Sequence, residues 1–175
     1  MPETDMLDLG GLRIPQGPGI EVRLESGGVP ARLLAATVLH EASALQLQAY
    51  RGPDVRWAAV RAELIEGVED RGGTAWERPG PGGTEVRCAL AAESYEGRRT
   101  DTDVRMLGRE GPGWLLRGTV TGSDVDPVRG GEDWAYDYFT RVVVVPGFGR
   151  GRAASLSAVL GRARATGLIP LRFPV

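Results

Sequence analysis

Glycine and proline punctuate this chain at 38 of its 175 positions, so it can fold only as many short elements joined by tight turns. Between those turns the prevailing pattern is alternation. Ile20, Val22 and Leu24 point one way while Glu21, Arg23 and Glu25 point the other, which is a half-buried strand. Ser26-Gly-Gly28 turns the chain into Ala31–His40, too poor in charge to alternate and expected to be a central strand. After a Glu41-Ala42 corner, Leu45, Leu47 and Ala49 alternate with Gln46, Gln48 and Tyr50, the third strand of a meander. Further strand signals run over 74–78, 84–91, 103–109 and 114–121, the second and fourth following the Gly/Pro turns 79–83 and 110–113. Val142–Val145 reads as a strand buried on both faces and closed by Pro146-Gly147.

One long helix is well marked. Pro53-Asp54 offers an N-cap, Trp57, Val60, Leu64, Ile65 and Val68 form one apolar stripe, and Gly72-Gly73 provides the stop. Glu132–Arg141 can make a short helix presenting Trp134, Tyr138 and Phe139, and Ala153–Ala165 is a candidate amphipathic helix. Glu93–Thr102 and Ser123–Gly131 read as loops, the first long enough to project. Leu, Ile, Val and Phe make up 42 of the residues, above the roughly 20% below which a chain cannot bury a core. The expectation is one α+β domain: a curved, mainly antiparallel sheet of about six to eight strands packed against one long helix and one or two shorter ones. Along the chain this divides into an extended N-terminal arm (1–18), the α+β body (19–147), a Gly/Arg/Ala-rich basic segment (148–167) and an extended closing segment (168–175).

Charge separates along the same lines. All 21 basic residues are arginine, and lysine and asparagine are absent. That removes Schiff-base and P-loop lysines and any asparagine oxyanion donor. Residues 1–137 carry a net −8, whereas 138–175 hold six arginines and no acid. Such a split marks a contact for an anionic surface, on another chain or on the protein's own acidic body. No run of 18 apolar residues exists and the first residues are acidic, so neither a membrane span nor a signal peptide is expected, and the cytoplasm is the expected compartment. The single cysteine, Cys88, excludes an internal disulfide or a cysteine-built zinc site.

Residues with catalytic potential are sparse. His40 is the only histidine, so any Ser-His-Asp or Cys-His arrangement must use it, with Glu41, Ser43 or Cys88 as companions; the plainer reading is a hydrogen-bonded strand-end histidine. Alternation places Cys88 inward with Val86 and Leu90, as a buried, inert thiol. The carboxylate pairs Asp101/Asp103, Asp124/Asp126 and Glu132/Asp133 could serve acid–base chemistry or magnesium, but Asp in Gly/Pro-rich loops is foremost a turn former. The glycine loops 80–83, 111–113 and 147–151 lack phosphate-loop spacing. No catalytic residue, cofactor site or metal site is therefore assigned.

Leu-Gln-Leu-Gln-Ala at 45–49 and Trp114-x-Leu-Arg-Gly118, together with Asp8-Leu-Gly10, Glu21-Val-Arg-Leu-Glu25, Gly111-Pro112 and Leu171-Arg172, resemble a family of uncharacterised actinobacterial proteins, a domain of unknown function. The resemblance runs through almost the whole chain. It implies an intracellular α+β domain, similar to small secretion-chaperone-like folds, and no reaction or catalytic residue. The 93–102 loop and the stretch between Val145 and Leu171 are longer than the family pattern, which points to a partner of this chain's own.

The function expected on these grounds is a non-catalytic protein-interaction or assembly module, binding a protein partner or itself. Trp134, Tyr136, Tyr138 and Phe139 would form its aromatic anchor and Arg150, Arg152, Arg162 and Arg164 its basic contacts. Nucleic-acid binding through the basic tail and a small hydrolase or nucleotide-handling enzyme are the alternatives.

Overall fold

A computed structural model of the protein describes residues 5–27, 32–93, 99–127 and 131–145. Within the first segment the chain doubles back as β1 (Met6–Asp8) and β2 (Leu12–Pro15). The meander follows as β3 (Glu21–Gly27), β4 (Arg32–His40) and β5 (Ser43–Arg51). Next comes helix α1 (Trp57–Glu69), then β6 (Thr74–Gly80), β7 (Gly83–Glu93), β8 (Arg99–Gly111) and β9 (Trp114–Gly122). A 3-10 turn (Ser123–Val125), helix α2 (Trp134–Arg141) and the two-residue β10 (Val143–Val144) complete the described chain.

The fold is α+β, with every strand pair antiparallel. Seven strands form one sheet in the order β3-β4-β5-β9-β8-β7-β6, and β1-β2-β10 form a second. Period-two alternation gives the large sheet two apolar faces. On one, Tyr50, Val86, Cys88, Val104, Met106 and Leu115 pack against Trp57, Leu64 and Val68 of α1. On the other, Val38, Leu45, Leu47, Leu107, Leu116 and Val120 pack against α2 and the small sheet. Two of the three glycine loops prove to be hairpin turns: Gly80 pairs with Gly83, and Gly111 with Trp114; the third, 147–151, lies outside the described residues. In the second hairpin, Pro112 leads into Gly113 at φ +72°, the left-handed position that glycine tolerates.

Three expectations need correction. Pro53-Asp54 does not cap α1; Arg56 occupies the cap position without a side-chain bond, and the Glu110 carboxylate of β8 accepts the Trp57 backbone N–H instead. The helix therefore starts where tertiary contact, not local sequence, satisfies its first donor. Most of the 93–102 "loop" is strand: Glu93 pairs with Arg99 and Asp101 with Ala91, leaving only 94–98 as a connection, which lies outside the described residues. Alternating Thr and Asp suits a polar strand as well as a loop. The four-valine run is not buried on both faces. It contributes only β10 at the edge of the small sheet, so Val142 and Val144 turn inward while Val143 is 46% exposed.

Candidate functional site

The site is organised by two arginines of β8. Arg105 and Arg109 lie four residues apart on the α2 face, about 13 Å along a strand, close to the roughly 12 Å length of an eight-residue helix. Arg105, only 1% exposed, makes paired hydrogen bonds to both oxygens of Glu85 (2.8 and 2.8 Å) and of Asp133 (2.9 and 2.9 Å). Two carboxylates hold its guanidinium firmly protonated against burial. Asp133 is also the N-cap of α2, accepting the Tyr136 N–H at 3.1 Å. At the other end Arg109 donates to the Thr140 and Val142 carbonyls, a cation on the negative pole of the helix. The strand thus clamps α2 at both termini.

Between the clamped helix and the loop after β2 lies a cleft of about 460 Å³, lined by Asp5, Pro15–Pro18, Ile20, His40, Trp134, Tyr138 and Arg141. His40, at the end of β4, stacks on Trp134 with ring centroids 4.8 Å apart and planes 18° from parallel. Trp134 in turn meets Tyr138 at 5.5 Å, and the Arg141 guanidinium sits 5.7 Å from the Tyr138 ring. The Tyr138 hydroxyl donates to the Pro15 carbonyl at 2.6 Å, fastening loop to helix. The result is a file of rings with one cation and one acid, Arg141 and Asp5, among the lining residues.

A family model described as "Protein of unknown function (DUF3710)" matches residues 1–157. The chain belongs to the DUF3710 family. No curated protein and no solved structure matches it.

Of the DUF3710 aromatic cluster, Tyr138 (1% exposed) and Phe139 (2%) are core residues, while Trp134 and Tyr136 are half-buried. Trp134 faces the cleft. Tyr136 lies over the β6–β7 turn, where a side chain at Gly82 would touch its ring. Arg150, Arg152, Arg162 and Arg164 lie outside the described residues. His40 joins Asp5 and the rings, not Glu41, Ser43 or Cys88, as cleft lining. Ser43 instead bonds the Ser123 hydroxyl at 2.8 Å. Asp126 pairs with Arg78 and Arg87, and Asp133 with Arg105. Among the described residues no three of His, Cys, Asp and Glu gather as metal ligands. Sequence reasoning missed Arg105, Arg109 and the 15–18 loop. The only available sign was the pair of arginines at same-face spacing around Leu107.

Burial pushes the Cys88 thiol up to about 11, opposed in part by the charge of Arg117, and the Tyr138 phenol up to about 12, opposed by Arg141. Both groups stay neutral in the fold, whereas the unfolded chain ionises them near their ordinary 9.0 and 10.0. Their contribution to stability is thus complete below pH 9 and is lost as pH rises towards 11–12. Urea unfolding of Cys88→Ala across pH 8–11 should accordingly show a shallower alkaline decline than the parent. Parallel curves for the two proteins would contradict the assignment.

Proposed function

We propose that this DUF3710 domain is a non-catalytic recognition module that receives a protein partner in the cleft between α2 and the 15–18 loop. The observation that carries this reading is the half-buried Trp134, held between His40 and Tyr138 with Arg141 beside it. Trp, Tyr and Arg are the residues that dominate binding hot spots. A cleft of this volume is large enough to enclose a protruding side chain and its flanking backbone. Compared with the expected anchor of four rings, the proposed surface narrows to the half-buried Trp134 indole and its neighbours, since Tyr138 and Phe139 are core.

The test is partner recovery by a tagged chain in its own cells, with a photo-crosslinking residue at Gln16 to report contact at the cleft itself. Trp134→Ala and the rim variant Arg141→Glu are expected to reduce crosslinked partner at least tenfold while retaining the parental circular dichroism. Trp76→Ala, at an exposed site on edge strand β6 (48% exposed), serves as the control and should change nothing. Undiminished crosslinking in both cleft variants would remove the proposal.

A further inference from the structure

On the opposite sheet face, under the α1 side, the cross-strand pairs β5–β9 form an unusual column: Ala44/Thr121, Gln46/Thr119, Gln48/Arg117 and Tyr50/Leu115. Gln46, Gln48, Arg117, Thr119 and Thr121 are all buried there. Arg117 is 2% exposed, and its Nη2 donates to Gln48 Oε1, which also accepts from the Tyr50 hydroxyl at 3.2 Å. The Tyr50 ring lies 5.6 Å from the guanidinium carbon. The remaining nitrogens, Nε and Nη1, are buried without a hydrogen-bond partner. They carry three of the five guanidinium donors.

The other buried arginines of the same sheet are each matched by carboxylate, Arg105 by Glu85 and Asp133 and Arg87 by Asp126. Arg117 has no carboxylate within ion-pair distance among the described residues. Two acids that reach this face are already engaged, Glu25 with Gln46 and Glu110 with the Trp57 N–H. Gly108, its cross-strand neighbour, adds only the Trp57 ring that lies over it. A desolvated cation whose charge is unmatched is strongly unfavourable unless an anion completes it. The polar floor continues beyond it, because Gln46 Oε1 and Thr121 Oγ1 are also buried and unpartnered.

We infer that Arg117 anchors a buried binding site for a small oxyanion, a carboxylate or phosphate group seated beside Gln48 and Thr119. Guanidinium donors match the oxygens of both groups. The site lies on the face away from the cleft and stands independently of the partner-binding proposal.

Thermal unfolding of the full chain in acetate, malonate or inorganic phosphate, against chloride at equal ionic strength, tests it. The seated anion should raise Tm by about 5–10 °C near a hundredfold excess over its Kd. Phosphate acting alone identifies a phosphate site, and acetate or malonate acting alone a carboxylate site. Arg117→Met should abolish the response. Because that variant changes the core, the parent's arginine Nε–H resonances provide a second reading. One buried resonance should shift saturably with the active anion and with no other. Equal Tm in all four salts together with unmoved Nε–H resonances would overturn the inference and leave water as the guanidinium's partner.

Discussion

Arg105→Met is expected to cost the fold about 3–5 kcal/mol, because it leaves the Glu85 carboxylate buried without its hydrogen-bonded ion-pair partner. The Glu85 side chain is 6% exposed and that of Asp133 19%, so Glu85 bears most of the penalty. Asp133 can turn towards water and retain its cap on Tyr136. The pairing of Arg105→Met with Glu85→Leu should therefore recover most of the loss, since apolar replacement of a whole buried ion cluster is often neutral. Urea denaturation of parent, single and double variants measures this directly. A single variant within about 1 kcal/mol of the parent would show that the triad contributes little to holding α2.

Gly108→Val should be nearly as damaging, through shape instead of charge. A Cβ at Gly108 falls within the Trp57 ring, and the ring also donates through its indole N–H to the Thr84 carbonyl at 2.7 Å. Neither the indole nor the strand can move aside without breaking that bond or the β8–β9 pairing of Gly108 with Arg117. Overpacking of this kind costs about 1–3 kcal/mol, occasionally more, a fall in Tm of roughly 2–12 °C for a chain of this size. Trp57→Leu in the same chain should restore part of the loss. Calorimetry showing an unchanged Tm for Gly108→Val would mean that Trp57 is not seated over β8.

The parts of this architecture that rest on near neighbours were legible in the amino-acid order. Alternation over 20–25 and 45–50 placed β3 and β5, the stripe from Trp57 to Val68 placed α1, and Pro112-Gly113 marked a hairpin. The α+β class and the single inward cysteine followed from the same periodicities. What stayed hidden depends on residues far apart in the chain. An arginine on a strand ordinarily belongs to a wet face, and only the position of α2 turns Arg105 into a buried clamp and Arg109 into a half-buried one. Glu110 replaces the local cap of α1 from another strand. The His40–Trp134 stack joins β4 to α2, and nothing in either segment announces the other. The family model has the same limit: it establishes membership of DUF3710 over 1–157 and no activity.

A helix tethered at its head by Asp133 and at its tail by the Thr140 and Val142 carbonyls has no hinge at either extremity. A partner docking as proposed would meet an indole already packed between His40 and Tyr138, with little conformational entropy left to surrender. Partners of the proposed site should then differ from one another in residence time far more than in the speed of their arrival.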